Sequence, residues 1–142
     1  MEKVAQILER KGGDVISIQR GTPVIEALEE MASKNIGSII VNDGEKYLGL
    51  LTERDYARKV ILKGKSSNDT PVEEIMSTDL PAVSLETTIE DCMHMMSENN
   101  LRYLPVFCKD QLCGIISIND LIKQIISKQK DTIDQLESYI RS

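Results

Sequence analysis

Aromatic residues and long apolar runs are both scarce in this sequence. It contains no tryptophan, one phenylalanine and four tyrosines among 142 residues. The core is therefore expected to be aliphatic, and few aromatic platforms exist on which nucleic-acid bases could stack. No apolar stretch approaches the roughly 18 residues of a membrane-spanning helix, and the charged N-terminus does not resemble a signal peptide. We expect a cytoplasmic protein without a membrane partner.

Cysteines are also few, and cationic side chains are outnumbered by acidic ones. Three cysteines form an odd and widely spaced set, which makes a poor disulfide framework and favours a reducing compartment. The net charge of −6 disfavours binding to nucleic acid or anionic lipid through bulk charge. Residues 54–65 are a basic exception, which is either a solvated helix face or a small anion site.

The residues that could hold a metal or perform catalysis do not form a convincing set. Cys92 falls on the apolar face of a predicted helix, His94 falls on its exposed face, and Cys108 and Cys113 flank a predicted hairpin turn. This arrangement favours structural roles over zinc binding, and a redox-responsive pair at Cys108 and Cys113 remains open. Without a P-loop, nucleophile elbow or dinucleotide fingerprint, we expect no enzyme activity.

The chain repeats itself at an offset of 65 residues. The identical pairs at this offset are Thr22 and Thr87, Met31 and Met96, Asn35 and Asn100, Val41 and Val106, Gly49 and Gly114, and Asp55 and Asp120. No insertion or deletion is needed between residues 15 and 55, and conservative matches fill the gaps. Two copies of one supersecondary unit explain this register better than chance.

Each copy predicts the order strand, helix, strand, strand, helix. The first copy predicts strands at 15–18, 37–41 and 47–51, a helix starting at Thr22-Pro23, and a second helix over 52–62. The second copy repeats this order, starting with a strand at 81–85. Neither copy can bury both faces of its helices alone, so the two copies are expected to pack together.

We therefore predict an α/β (α+β) protein built from two tandem β-α-β-β-α repeats. The predicted segments are an N-terminal helix at 1–13, a first repeat at 14–63, a connector at 64–78, a second repeat at 79–127 and a C-terminal helical extension at 128–142. Within the connector, residues 70–76 predict a short capped helical turn.

The C-terminal segment predicts a long helix with an apolar stripe. Its members alternate in spacing between four and three residues: Ile122, Ile126, Gln129, Ile133, Leu136 and Ile140. Such spacing is typical of a coiled-coil seam, and equally of a stripe that packs back on its own module. Dimerisation and self-packing both remain open.

The repeat includes a short motif that could bind a ligand, GLLTERD at 49–55 and GIISIND at 114–120. A strand ends and a helix begins there, so unpaired N–H groups and the positive end of the helix dipole point outward. Thr52 and Ser117 can cap the helix or meet a phosphate. The aspartate one turn later can accept hydrogen bonds from a ribose diol. Because a cap needs only the hydroxyl, the repeated aspartate favours a ligand.

These motifs, together with the T-x-x-x-E/D helix start and the strand ends I-I-V and L-P-V, resemble the cystathionine-β-synthase (CBS) domain over about residues 14–126. Two such domains in tandem resemble a Bateman module. The resemblance implies a pseudo-twofold unit with two clefts for adenosine-containing ligands: AMP, ADP, ATP, NAD or S-adenosylmethionine.

The resemblance also implies which residues line each cleft. One cleft would use Thr52, Arg54, Asp55, Ala82, Val83, Arg102 and Tyr103, and the other would use Ser117, Asn119, Asp120, Ile16, Gly37 and Ser38. Arg58, Lys63 and Lys65 are further candidates for phosphate contacts. Because Arg54 matches Asn119, we expect the first cleft to hold a phosphorylated ligand more strongly.

The function implied is a stand-alone regulatory module that senses adenine nucleotides, forms a homodimer and signals to an unknown protein. The alternative is a structural interaction module with empty clefts. A small enzyme acting on a nucleotide is a third possibility, for which the sequence offers no catalytic residues.

Overall fold

The computed structural model describes residues 2–12 and 14–141. Its contacts divide the chain into two compact units. The first unit is Asp14–Leu80, and the second joins the N-terminal helix α1 (Val4–Lys11) to the chain from Pro81 onward. The predicted mixed α and β architecture with two repeats is confirmed, because each repeat supplies the sheet of one unit.

The first unit is built around a three-stranded sheet. Its elements are β1 (Ser17–Gln19), α2 (Val24–Lys34), β2 (Ser38–Asp43), β3 (Lys46–Thr52) and α3 (Glu53–Tyr56), followed by a π-helical turn at Ala57–Ile61 and a 3-10 turn at Val72–Glu74. Strand β2 is central, parallel to β1 and antiparallel to β3. Its side chains Ile39 and Val41 pack with Leu51 and Val24 in an aliphatic core, as the scarcity of aromatics predicts.

The second unit repeats the hairpin but not the first strand. Its remaining elements are α4 (Ile89–Asn99), β4 (Tyr103–Cys108), β5 (Gln111–Ser117) and α5 (Ile118–Arg141). The strand predicted at 81–85 is reduced to a single parallel bridge between Val83 and Val106. Helix α5 runs without a break from the second repeat into the predicted C-terminal extension.

A disulfide joins Cys108 to Cys113 across the β4–β5 hairpin, and this is the pair that the sequence left open. The strand register shifts between Val106 and Phe107, and this bulge leaves Cys113 without a direct cross-strand partner. Its Cα atom lies 5.7 Å from that of Cys108, which is within the range that disulfides bridge. Sequence spacing alone could not place the bulge.

Helices α2 and α4 begin differently although they occupy equivalent positions. Thr22, the predicted cap of α2, instead donates its hydroxyl to the carbonyl of Gln19 at 2.7 Å, and Pro23 occupies the N-cap position. In α4 the cap is Thr88, whose hydroxyl accepts from the Asp91 N–H. A proline has no side-chain acceptor, so α2 begins without a side-chain cap.

A short helical segment packs on the sheet of each unit. The Val4 N–H of α1 donates to the carbonyl of Thr87, and the Val72 N–H of the 3-10 turn donates to the carbonyl of Thr22, both at 2.9 Å. The two carbonyls belong to matching positions of the repeat. We call Val4–Leu8 and Val72–Met76 the cover segments; each buries a valine and an isoleucine. The sequences VAQIL and VEEIM show this equivalence, at an offset of 68 rather than 65.

The motif glycines lie directly beneath these cover segments. A Cβ atom added at Gly49 would meet the backbone carbonyl oxygen of Ser77 at 2.7 Å. A Cβ atom at Gly114 would meet the Leu8 side chain at 2.9 Å. Glycine is therefore required in β3 by the close approach of a backbone carbonyl, and in β5 it lies against a side chain that can move.

Helix α5 packs against its own unit only near its beginning. Leu121 is fully buried and Ile125 packs on the core cluster of the second unit. The stripe of Ile122, Ile126, Ile133, Leu136 and Ile140 is exposed. The residues of α5 that pack on their own unit are therefore not those of the stripe, which stays exposed.

None of the helices in residues 2–12 and 14–141 combines the length and the apolar character required to span a bilayer.

The two glycines give a prediction about stability. Gly49→Ala is expected to lower the free energy of unfolding by about 2 kcal/mol, because a backbone carbonyl cannot move aside cheaply. Gly114→Ala is expected to cost less than about 1 kcal/mol, because the end of the Leu8 side chain can rotate away. Urea denaturation of each variant would measure the difference.

The double variant Leu8→Ala/Gly114→Ala serves as the control. It should lose less stability than the sum of its two single variants, since the added methyl occupies the space that Leu8 leaves. A larger loss from Gly114→Ala than from Gly49→Ala would contradict the assignment.

Candidate functional site

The first candidate motif is a closed hydrogen-bonded junction between β3 and α3. The Thr52 hydroxyl accepts from the Asp55 N–H at 3.1 Å, while the Asp55 carboxylate accepts from the Thr52 N–H at 3.0 Å. The same hydroxyl donates to Asp55 Oδ2 at 3.0 Å. This is a reciprocal capping box, which satisfies two N–H groups at the start of the helix.

Asp55 has further partners on its other oxygen. Oδ1 accepts from the Ser77 hydroxyl at 2.9 Å and forms a 3.0 Å ion pair with Lys59 Nζ. The residue is 6% exposed. A buried carboxylate is tolerated when it is hydrogen-bonded and paired, and both oxygens of Asp55 meet that condition within the protein.

The second candidate motif has the same geometry between β5 and α5. The Ser117 N–H donates to Asp120 Oδ2 at 2.8 Å, and the Ser117 hydroxyl accepts from the Asp120 N–H at 3.2 Å. Lys11, the last residue of α1, donates to Asp120 Oδ2 at 2.8 Å and to the Ile115 carbonyl at 2.7 Å. A lysine thus pairs with the motif aspartate in both units, from different places in the sequence.

The two aspartates differ in whether a carboxylate oxygen remains available to a ligand. Burial by itself would raise the pKa of Asp120, but the hydrogen bonds from Lys11 and Ser117 outweigh it and hold this pKa below its ordinary value. Asp120 is therefore ionised at neutral pH. Its Oδ1 atom has no hydrogen-bond partner among the residues that the structure describes, whereas both oxygens of Asp55 are occupied.

The capping box corrects one step of the sequence argument. The sequence predicts a ligand from the repeated aspartate, on the premise that a cap needs only a hydroxyl. In both units the aspartate completes the cap by accepting from the N–H of the hydroxyl residue. Thr88 and Asp91 at the start of α4 show the same four-residue spacing without that return bond. The motif therefore has a structural role whether or not a ligand binds.

Further candidate residues of the first unit lie beside Thr52. Ser38 pairs with Thr52 across β2 and β3, and the Gly37 carbonyl accepts from the Glu53 N–H at 3.2 Å. The Ile16 carbonyl accepts from the Ile40 N–H at 3.0 Å, and its side chain packs on the core. Arg54 is half-buried on α3. These residues form one edge of the first unit.

The second unit gathers the matching set beside Ser117. Tyr103 pairs with Ser117 across β4 and β5, and the Arg102 carbonyl accepts from the Ile118 N–H at 2.9 Å. Val83 is buried with both backbone polar groups bonded to β4, so it can offer only an apolar wall. Ala82, Arg102 and Asn119 are exposed.

The candidate phosphate contacts near the first motif differ in their availability. Arg58, Lys63 and Lys65 are all exposed. Lys65 forms an ion pair with Glu74, with 3.6 Å between Nζ and Oε2. Among the described residues, none forms a salt bridge with Arg58 or Lys63. The solvated-face interpretation and the anion-site interpretation of this basic segment both remain compatible with these positions.

Three residues that contact the aspartates were missed from sequence: Lys11, Lys59 and Ser77. Lys59 stands four residues after Asp55 on the same helical face, so its ion pair could have been found by spacing. Ser77 and Lys11 follow the two cover segments, and only the VAQIL and VEEIM repeat pointed to their equivalent placement.

The cysteine and histidine candidates for a metal are separated in the structure. Cys92 is buried, and burial with the nearby charge of Asp91 raises the pKa of its thiol to about 11. His94 is exposed on α4. No cluster of three metal-binding side chains occurs in the described part of the chain.

Comparison with known proteins places the whole repeat in one family. The CBS domain family model matches residues 4–62 and 72–127, so each match begins at a cover segment. The Arabidopsis thaliana CBS domain-containing protein CBSX3, mitochondrial, is 30% identical over 147 aligned positions, covering 97% of this chain and 71% of that protein.

Solved structures show the same similarity. A protein with CBS domains from Burkholderia ambifaria is 42% identical, with a TM-score of 0.86 over 89% of this chain and 96% of that chain. A hexameric CBS-CP12 protein from bloom-forming cyanobacteria is 26% identical, with a TM-score of 0.74 over 86% of this chain and 70% of that chain. With two family matches and these relatives, the chain belongs to the CBS domain family as a tandem CBS domain protein.

Proposed function

We propose that this chain is a regulatory module that binds an adenosine-containing nucleotide at its two hydroxyl–carboxylate motifs. The observation that carries the proposal is Asp120, an ionised carboxylate beside the hydroxyl of Ser117, whose Oδ1 has no hydrogen-bond partner within the described part of the chain. A ribose diol can donate to such an oxygen, as it does to the acidic residue of dinucleotide folds. CBS domain pairs are generally regulatory ligand-binding modules, and membership in that family supports the same function.

The ligand candidates are AMP, ADP, ATP, NAD and S-adenosylmethionine, which share an adenosine group. The residue sets are those that the resemblance implies, Thr52, Arg54 and Asp55 for one ligand and Ser117, Asn119 and Asp120 for the other. Arg54 supplies positive charge that Asn119 lacks, which favours phosphate at the first set. The free oxygen of Asp120 favours ribose at the second set.

Lys11 opposes binding at the second set in this proposal. Its ammonium group occupies Asp120 Oδ2 and also holds the Ile115 carbonyl. A diol that engaged both carboxylate oxygens would have to displace this ammonium group. Binding would then loosen the end of α1 and convert ligand occupancy into a change in the cover segment.

Ligand binding would be signalled by a change in the association of protein chains, not by a chemical reaction of the nucleotide. A ligand shifts a conformational equilibrium only by its differential affinity for the two states. We propose that a homodimer transmits this shift to a regulated protein, without turnover of the nucleotide. The hexameric cyanobacterial relative supports assembly of related chains.

A structural interaction module with empty clefts is the second candidate. Asp55 favours it, because four protein groups already occupy both of its oxygens. Such a carboxylate stabilises the junction without a ligand. The two functions differ in whether nucleotide binds saturably.

Isothermal titration tests the proposal with AMP, ADP, ATP, NAD and S-adenosylmethionine in turn. At least one is expected to bind saturably, and Asp120→Asn is expected to weaken it at least tenfold, about 1.4 kcal/mol, because the amide loses the anionic acceptor. Asp91→Asn is the matched control: it lies at the same capping position of α4 and should leave affinity unchanged.

Absence of saturable binding to all five compounds would overturn the nucleotide proposal and leave the structural module. Equal losses from Asp120→Asn and Asp91→Asn would show that helix capping, not ligand contact, accounts for the effect. Thermal unfolding of each variant separates lost affinity from lost folding.

Removing Lys11 is expected to strengthen binding. Lys11→Met keeps the aliphatic length of the side chain but releases the Asp120 carboxylate, so nucleotide affinity should rise several-fold and the pKa of Asp120 should increase. Titration calorimetry and a carboxyl NMR titration would measure the two effects. Lys3→Met is the control, because it removes the ion pair between Lys3, just before α1, and Glu86. It should change neither the nucleotide affinity nor the pKa of Asp120. Weaker binding by Lys11→Met would instead identify Lys11 as a ligand contact.

A further inference from the structure

The stripe on α5 is an apolar surface that its own unit leaves uncovered. Ile126 is 59% exposed, Ile133 is 54% exposed and Leu136 is 58% exposed. With Ile122, Gln129 and Ile140 they occupy alternate core positions of three heptads, over about 27 Å of helix. An apolar stripe with coiled-coil spacing is expected to pack against a second helix that has the same spacing.

A groove beside the stripe extends this surface. It has a volume of about 560 Å³ and lies between the beginning of α4 and the middle of α5, all within the second unit. Ile89, Ile125 and Ile133 give it an apolar lining. The Gln124 Oε1 atom, also at the groove, is buried and has no hydrogen-bond partner among residues 2–12 and 14–141. The groove could therefore receive side chains from a helix that lies along the stripe.

The charges on α5 indicate that this helix is another copy of α5. Ile118–Arg141 contains four cationic and four anionic side chains, so it is neutral in a chain whose net charge is −6. Two copies can approach each other without the repulsion that other surfaces of the chain would produce. Within residues 123–137 the charges are sorted: Lys123, Lys128 and Lys130 come first, and Asp131, Asp134 and Glu137 follow, with Asp120 and Arg141 outside this order.

We propose that two copies of the chain associate through antiparallel α5 helices. Antiparallel alignment places Lys123 of each helix beside the partner's Glu137, whereas parallel alignment would pair neither of them with an opposite charge. The two Lys130 side chains face each other near the axis in this arrangement. The core layers would pair Ile122 with the partner's Ile140, Ile126 with the partner's Leu136, and Gln129 with the partner's Ile133. Lys123 would flank this core opposite the partner's Glu137.

This register also accounts for the groove. The partner's residues 129–137 would lie opposite residues 125–133, so that the partner's Ile133 and Leu136 would cover the groove lining. The inference rests on the homodimer of the proposed function, but it is independent of nucleotide binding. It names the interface and the orientation of the helices.

The mass of the full chain in solution tests the interface. Analytical ultracentrifugation is expected to give twice the monomer mass for the unmodified chain, and the monomer mass for Ile133→Glu, which buries a carboxylate in the core. Gln129→Leu should lower the dissociation constant at least several-fold, because a polar residue at a core position costs stability. Ser138→Glu, on the opposite face of α5, is the matched control and should remain dimeric.

Two further variants test the orientation. Lys130→Cys should be cross-linked to its own copy by a short bismaleimide in the antiparallel pair, because these flanking positions then face each other across the axis. Ile140→Cys should not react in this way, although it would in a parallel pair. Cys92 is buried and Cys108 is bonded to Cys113, so the added cysteine is the reactive one.

Charge reversal gives an independent test of the register. Lys123→Glu and Glu137→Lys should each weaken association, and the double variant should restore it. Failure of that restoration, or self-cross-linking at Ile140→Cys, would overturn the antiparallel register. A monomeric unmodified chain would overturn both the interface and the homodimer. A dimer that survives Ile133→Glu would overturn only the interface.

Discussion

The close packing of a cover segment on a strand glycine is the contact on which both units depend. In the first unit, the chain after the 3-10 turn lies directly over Gly49, and in the second unit Leu8 lies over Gly114. A side chain at Gly49 would hold the cover away from the sheet, whereas Leu8 can rotate away from a methyl group at Gly114. The buried valine and isoleucine of the first unit's cover segment would then lose part of their apolar contact, which costs about 25 cal/mol for each Å² exposed.

The cover segments also determine the electrostatics of the two motifs. The chain that follows them brings Ser77 to Asp55 and Lys11 to Asp120. Packing and polar chemistry are therefore coupled, because any movement of a cover segment alters the partners of a motif carboxylate. This coupling is the physical basis for proposing that occupancy of a motif is converted into a conformational change.

The asymmetry between the motifs arises from where their lysines originate. Lys59 lies one helical turn from Asp55 in the same chain segment, so its ion pair requires little additional ordering of the chain. Lys11 reaches Asp120 from more than one hundred residues away in sequence, and its contact exists only while α1 is packed. The Lys11–Asp120 contact is therefore more easily exchanged for a ligand than the Lys59–Asp55 contact. For this reason we propose that a ligand engages Asp120 more readily than Asp55.

The repeat at an offset of 65 residues was sufficient to predict the mixed α and β fold and the hairpins, because side-chain periodicity and turn residues act locally. The motifs within the repeat carried the resemblance to the family. Prediction failed for the strand at 81–85 and for the cap at Thr22, whose hydroxyl is bonded to the Gln19 carbonyl of β1. It also failed for the motif aspartates, although their capping boxes are local and the spacing of hydroxyl and carboxylate could have indicated them. The disulfide depended on a bulge that has no clear signature in the sequence.

By itself the sequence determined that two copies of one unit exist, that each carries a hydroxyl and a carboxylate at a strand–helix junction, and that α5 has a stripe with coiled-coil spacing. Only the tertiary structure decided that Ser77 reaches Asp55, that Lys11 reaches Asp120, and that the stripe remains exposed. The physical reason is that helical and strand periodicities are encoded by neighbouring residues. The partners of a buried charge or an apolar surface depend on segments that come together only when the chain folds.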